Sequence, residues 1–201
     1  MNIWFASGNK GKVSELNLLF NTYSPDVKII PQSELGFYTS PPETGATFLD
    51  NARIKAKGLK AVKNTDWIVA EDSGLCVDGM NGLPGVHSAR YAGEKARDSE
   101  NNAKLLKMMQ IRSISPRTAF FFCQMVVMTA AGEEWLFDGT LKGTIAATPK
   151  GLHGFGYDPL FIPEGETQSL AELGSGFKSN KSHRAQATLK FIEKLKLEKV
   201  I

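Results

Sequence analysis

Short apolar runs and longer stretches with apolar residues every three or four positions take turns along the first half of the chain. Ile3-Trp4-Phe5-Ala6 is a run of strand type, and behind it Val13, Leu16, Leu19 and Phe20 recur at helical spacing. Val27-Lys28-Ile29-Ile30 reads as a second strand. Phe48, Ala52, Ala56 and Leu59 form the stripe of a long helix capped by Thr47, with Asp50 three residues on. Trp67 to Ala70 is a third strand, predicted to end in the carboxylates Glu71-Asp72 and a turn at Ser73-Gly74. Gly79 to Gly85 is turn-rich, and Asp98 to Met109 reads as a helix with Ala103, Leu106 and Met109 on one face. The β-branched and aromatic run Ala119–Thr129 predicts a long buried strand. A turn at Ala131-Gly132, then Trp135-Leu136-Phe137 and the alternating Thr140–Ile145, complete a hairpin or meander. The last helix carries Ala185, Leu189, Ile192 and Leu195, with Ser182 as its N-cap. Because the hairpin interrupts strict β-α alternation, the expected fold is α/β with a mixed sheet.

Composition narrows the classes without choosing among them. With 201 residues, 42% hydrophobic and 22% charged, the chain has the make-up of an ordinary globular domain, which excludes disorder and low complexity. A net charge of +3 is too mild to argue for a nucleic-acid partner. The longest apolar stretch, Ala119 to Met128, is interrupted by Gln124 and falls short of the roughly 20 residues needed to cross a bilayer. Residues 1–7 lack the basic leader and long apolar region of a secretory signal. Cys76 and Cys123 each sit in an apolar run, so both are expected as buried free thiols. Together these features predict one cytoplasmic domain with neither a nucleic-acid nor a membrane partner.

Five segments carry candidate chemistry. Ser7-Gly8-Asn9-Lys10-Gly11-Lys12 lies between a strand and a helix, where backbone N–H groups and the helix dipole favour an anion; it does not match a Walker A loop, and a solvated turn is an equal reading. Asn51 and Lys55 share a helical face that begins near Glu43, and they gain meaning only if a second segment brings acidic groups to them. Glu71-Asp72 supplies such groups: oxygen-ligand clusters suit Mg²⁺ and, through it, phosphate substrates, but alternation along a strand lets only one of the two face a given ion. In Gly154-Phe155-Gly156-Tyr157-Asp158-Pro159 an aromatic flanked by glycines can offer a face for base stacking, or simply pack in the core. His183 and Arg184 stand in the first turn of the last helix, where positive charge opposes the dipole and costs stability unless an anion or a hydrogen-bonding ligand is nearby. The dispersed His87, His153 and His183 form no zinc pattern, and without a Gly-x-Ser-x-Gly elbow Ser73 is a poor hydrolase nucleophile.

Taken in order, Ser7-Gly8-Asn9-x-x-Lys12, Glu43-Thr44-Gly45 with Asn51 and Lys55, Glu71-Asp72-Ser73-Gly74-Leu75, Gly82-Leu83-Pro84-Gly85 with Ser88-Ala89-Arg90-Tyr91, Gly154–Pro159, and Lys178 with Ser182-His183-Arg184 resemble the inosine/xanthosine triphosphate pyrophosphatase (Ham1-like) family from end to end. The resemblance implies an elongated, two-lobed α/β fold around a long mixed sheet, formed by residues 1–201 as one domain. It implies hydrolysis of ITP, dITP or XTP to the monophosphate and pyrophosphate, a Mg²⁺ cofactor and a homodimer. It makes Asp72 the catalytic base and, with Glu43, a metal ligand. Ser7, Gly8, Asn9, Lys10, Gly11, Lys12 and Lys55 would hold the triphosphate, and Ser73 would touch substrate. Phe155, Gly156, Tyr157, Asp158, Lys178, His183 and Arg184 would enclose the base. Many members carry Asp where this chain has Glu71, which leaves the part of Glu71 in metal binding open. Two rivals stay in play: a nucleotide-binding regulatory module without catalysis, and a Maf-like pyrophosphatase of modified pyrimidines, which lacks support from Ser182-His183-Arg184.

Overall fold

The computed structural model describes all 201 residues and contains six strands and five α-helices: β1 (Asn2–Phe5), α1 (Lys10–Tyr23), β2 (Lys28–Pro31), α2 (Phe48–Val62), β3 (Trp67–Val77), α3 (Asp98–Ile111), β4 (Thr118–Met128), β5 (Glu134–Ile145), β6 (Phe161–Pro163), α4 (Leu170–Lys181) and α5 (His183–Leu197). The strands form one sheet in the order β2-β1-β3-β4-β5-β6. β1 is parallel to β2 (Ile3 beside Ile29) and to β3 (Ile3 beside Trp67), whereas β5 and β6 are antiparallel, so the sheet is mixed as expected.

The chain divides into two compact units. The first comprises 1–72, 123–139 and 184–201; the second comprises 73–122 and 140–183. β3, β4 and β5 each contribute residues to both. In the first unit, alternation along β1 sends Ile3 and Phe5 to one core with Leu16 and Phe20 of α1 and Phe191 and Leu195 of α5. Trp4 and Ala6 go to another, with Ala52, Ala56 and Leu59 of α2. The second unit has its own core of Leu75, Val77, Leu105, Met109, Phe121, Tyr157, Phe161 and Leu170. Both cysteines are buried free thiols.

Most expected elements form, with informative departures. The strand at Trp67 does not stop at the carboxylates: β3 continues through Glu71-Asp72-Ser73-Gly74 to Val77, with Glu71 1% and Asp72 5% exposed. Neither a strand-end turn nor a solvated pair exists there, because each carboxylate meets cations on its own face of the strand. Trp135–Phe137 and Thr140–Ile145 are one strand, β5. The buried face of α3 is Asn101, Asn102, Leu105 and Met109, and Ala103 is exposed. The two asparagines are tolerated inside because their amides bond backbone: Asn101 accepts from Ala92 N at 2.7 Å and donates to Ala89 O at 3.1 Å, and Asn102 donates to Gly156 O at 3.1 Å. Ser182 stands at the junction of α4 and α5, in extended conformation.

Candidate active site

The expected cap forms on α2 as a complete capping box: Asp50 N donates to Thr47 Oγ1 at 3.1 Å, and Thr47 N donates to Asp50 Oδ2 at 3.1 Å. This fixes the helix that carries Asn51 and Lys55, both of which are buried rather than solvated. Asn51 joins two segments. Its Oδ1 accepts from Gly45 N at 2.8 Å, and its Nδ2 donates to Asp72 Oδ2 at 3.3 Å. The Gly45 contact requires glycine, since a Cβ there would lie 2.7 Å from Asn51 Oδ1 and 2.5 Å from Asp50 Cβ. The loop bearing Glu43 is thereby pinned to α2, and Lys55 Nζ sits between Glu43 Oε1 at 2.9 Å and Asp72 Oδ1 at 3.0 Å. Burial works against the Lys55 ammonium, but Asp72 and Glu43 outweigh it and raise its pKa above the ordinary value.

On the opposite face of β3, Glu71 meets Arg184, whose Nε lies 2.9 Å from both of its oxygens. Lys12 Nζ is 3.3 Å from Glu71 Oε1, and the Cys123 thiol donates to Oε2 at 2.9 Å. Arg184 Nη1 also donates to Glu15 of α1. Burial would push the Glu71 carboxyl up, yet Arg184 and Lys12 hold it well below the usual carboxylate range. Burial and the neighbouring Glu71 push the Cys123 thiol up, so it stays protonated as a donor. The anion demanded by Arg184 in the first turn of α5 is therefore a pair of protein carboxylates. Glu15 was not among the candidates, and only that unanswered positive charge hinted at it.

The turn 7–12 is tightly built. Ser7 Oγ accepts from Asn9 N at 3.2 Å, and Asn9 Oδ1 caps α1 by accepting from Lys12 N at 3.1 Å. Asn9 is thus a helix cap, with Gly8, Asn9 and Lys10 exposed and Gly11 and Lys12 half-buried.

The second unit assembles the remaining candidates. Asp158 Oδ2 accepts from Phe155 N at 3.0 Å and from Lys178 Nζ at 2.7 Å, and Lys178 Nζ lies 4.6 Å from the centre of the Phe155 ring. Gly154 has φ +80°, and a Cβ there would fall 2.1 Å from Asp158 Oδ2, so the turn admits no side chain. α3 grips the Gly156 peptide at both ends, Asp98 Oδ2 accepting from Gly156 N at 2.6 Å and Asn102 donating to its carbonyl. Tyr157 is not a free face: it is 3% exposed and its hydroxyl donates to Ser88 O at 2.9 Å. Burial raises its pKa. His183, 5% exposed, stacks on Phe121 with centroids 4.8 Å apart and planes at 8°. Ser73 is half-buried. Asp98 and Asn102 escaped the sequence reading because a first-turn Asp and a helical Asn are ordinary residues until the loop they hold is known.

No group of three or more His, Cys, Asp and Glu side chains is gathered as a metal cage. Glu43 and Asp72 nonetheless converge on one cation, the Lys55 ammonium. Two carboxylates suit Mg²⁺, which keeps waters and takes phosphate oxygens for its remaining positions.

Known proteins share this architecture throughout. A protein of Bdellovibrio bacteriovorus named dITP/XTP pyrophosphatase is 59% identical over 195 residues, 97% of this chain and 98% of its own. One of Bacillus subtilis with the same name is 41% identical over 190 residues, 94% of each chain. Among solved structures, a HAM1 protein from Coxiella burnetii superposes with a TM-score of 0.87 at 35% identity, covering 98% of this chain and 99% of that one. The Staphylococcus aureus Ham1 protein gives 0.85 at 37% identity, covering 98% and 100%. The sequence pattern of the Ham1 family matches residues 3–194, and the chain belongs to that family.

Proposed function

We propose that residues 1–201 work as one nucleoside triphosphate pyrophosphatase domain that hydrolyses non-canonical purine nucleotides (ITP, dITP and XTP) to the monophosphate and pyrophosphate. This keeps such bases out of DNA and RNA. The relatives that cover almost all of this chain carry the name dITP/XTP pyrophosphatase, which supports the substrate class. The observation that carries the reading is the buried Lys55 ammonium held between Glu43 and Asp72, steadied by Asn51. Burying Lys55 and Asp72 beside the half-buried Glu43 costs desolvation, and charged groups gathered at that cost suit a charged ligand.

In this reading Ser7 to Lys12 and Lys55 hold the triphosphate, the lysines adding positive charge where the transition state gathers negative charge. Glu43 and Asp72 are the residues that would hold Mg²⁺, which when bound neutralises phosphate oxygens and improves pyrophosphate as a leaving group. Asp72, its carboxylate oriented by Asn51 and Lys55, accepts the proton of the water that attacks phosphorus in line. Ser73, next along β3, touches substrate. Phe155 stacks on the base, backed by Gly156, Tyr157 and Asp158, while Lys178 and His183 address its polar edge. Hydrogen bonds to a 6-keto group would be left unpaired by adenine, which disfavours ATP. The enzyme works as a cytoplasmic homodimer without nucleic-acid or membrane partners. The mild net charge speaks against a nucleic-acid partner, and no helix is long and apolar enough to cross a membrane.

The test is a product panel with Mg²⁺. Pyrophosphate is expected from dITP, ITP and XTP, with ATP and GTP poor substrates. Orthophosphate as the first product, equal turnover of ATP, or tight binding of ITP without turnover would each overturn the proposal.

A further inference from the structure

We infer that Gly58 is a positioning residue for Glu43: by carrying no side chain it sets how closely segment 36–45 crosses α2, and so brings the Glu43 carboxylate to the Lys55 ammonium. The inference rests on the reading above that Glu43 holds the metal ion. Gly58 stands inside α2, which runs on to Val62, one turn beyond Lys55. Glycine there destabilises a helix relative to alanine, since it gives up more backbone freedom on folding. What fills the space of the missing side chain explains its presence. A Cβ at 58 would lie 2.9 Å from Pro41 Cγ, 3.0 Å from Pro41 Cδ and 3.0 Å from the Tyr38 hydroxyl, all closer than ordinary van der Waals contact. The buried Tyr38 hydroxyl has no hydrogen-bond partner in the protein, so packing and not a directed bond sets its place. Glu43 hangs between two seats. On one side Pro41 rests on Gly58, and the adjacent Ser40 Oγ accepts from Gln32 Nε2 at 2.6 Å. On the other, Gly45 N donates to Asn51 Oδ1 at 2.8 Å. A side chain at 58 would displace the segment and not the helix, because Ala52, Ala56 and Leu59 lock α2 into the core. The Pro41 ring is closed on its own backbone and cannot fold aside, so the chain there would lift by roughly 1 Å. With Asn51 still holding position 45, the strain falls on the Gly45 bond and on Glu43, whose Oε1 is 2.9 Å from Lys55 Nζ.

The test is a cycle of Gly58→Ala, Pro41→Ala and Pro41→Ala/Gly58→Ala against wild type, since Pro41→Ala deletes the ring atoms that a Cβ at 58 would strike. In the metal-free protein, hydrogen exchange of the Gly45 amide, followed by NMR, reports the seating of the segment. Binding of Mn²⁺ alone, followed by electron paramagnetic resonance, reports Glu43. Gly58→Ala is expected to speed Gly45 exchange and to weaken Mn²⁺ binding, each about tenfold. It should also raise the Mg²⁺ concentration for half-maximal dITP turnover, with kcat at saturating Mg²⁺ kept within about threefold. In the Pro41→Ala background the same substitution should change each quantity by less than about twofold. Unchanged exchange and Mn²⁺ affinity in Gly58→Ala would overturn the inference. So would equal losses in both backgrounds, or a fall in kcat that Mg²⁺ does not restore. Should Gly58→Ala fail to fold, the double variant decides: its folding would trace the damage to the collision with Pro41, and its failure would overturn the inference. Failure of the parent reading looks different, as a wild type that binds no Mn²⁺ and turns over no dITP, while Gly45 exchange still tests the seat.

Discussion

In the first unit, functional side chains are held by opposite charge: Lys55 by Glu43 and Asp72, Arg184 by Glu71 and Glu15, Lys12 by Glu71. In the second, peptide groups and rings do most of the holding: Asp158 and Asp98 take backbone N–H groups, Asn102 and Tyr157 donate to carbonyls, and His183 lies on Phe121. The ion pair Lys178–Asp158 is added to that frame. The difference matches what each unit is proposed to bind. A polyphosphate needs charges that are present in advance and unable to collapse on one another, so each cation is paired with an anion that fixes its place. A flat, neutral base needs a ring and a few dipoles in fixed positions, which backbone hydrogen bonds supply, with the buried Lys178–Asp158 pair compensating its own charge. Breaking the first unit should therefore cost chemistry and stability together, and breaking the second should mostly change affinity and selectivity.

The sharpest break is Asp72→Asn. The amide keeps the size and can still accept from Lys55, so the fold is expected to stay intact while kcat for dITP falls about 10²- to 10⁴-fold, the usual worth of a general base. Turnover assays beside a thermal melt check it; near-normal kcat in a folded variant removes Asp72 from that role.

Next is Glu71→Ala, which strands Arg184 in the interior. A loss of about 3–5 kcal/mol in denaturant unfolding is expected. The same group sets a pH dependence. Its folded pKa is depressed below the ordinary 4.5 by Arg184 and Lys12 despite burial, so the stability it contributes is present above that value and disappears as the pH falls further. Wild type should lose stability steeply below about pH 4.5, and its advantage over Glu71→Ala should shrink there. An advantage that stays constant down to strongly acid pH would contradict the ion-pair account.

Much of this was legible in the sequence where the signal is local. The Thr47–Asp50 box, the strand and turn before α1, and the spacing of Asn51 and Lys55 all read correctly, because each depends on residues a few positions apart. What did not read was compensation at long range. β3 seemed to end at Glu71-Asp72 because two carboxylates inside a strand are untenable unless cations arrive. Those cations come from Lys12, Lys55 and Arg184, the last 113 positions away. α4 was missed altogether: Gly174, at φ +74°, breaks its dihedrals, and Gly174 and Gly176 erase the apolar period that marks a helix. The three-residue β6 was too short to stand out and exists through its pairing with β5. In the site, the charges and rings were visible, but their holders Glu15, Asp98 and Asn102 carry no signature of their own.

The mildest test compares two capping boxes of the same design. Thr47–Asp50 caps α2 and Ser169–Glu172 caps α4. Removing either hydroxyl, Thr47→Ala or Ser169→Ala, is expected to cost about 1 kcal/mol of stability. Their consequences for the site should differ. α2 runs unbroken from its cap to Asn51 and Lys55, so fraying its first turn loosens the groups that orient Asp72, and kcat/KM for dITP should fall several-fold. In α4 the non-helical Gly174 separates the cap from Lys178, which is held by Asp158 regardless of the helix start. Ser169→Ala should melt lower yet keep its kcat/KM. Equal kinetic damage from both variants would mean that the Lys178 end depends on helix integrity as much as the Lys55 end does, and the contrast between charge-held and backbone-held halves would lose its basis.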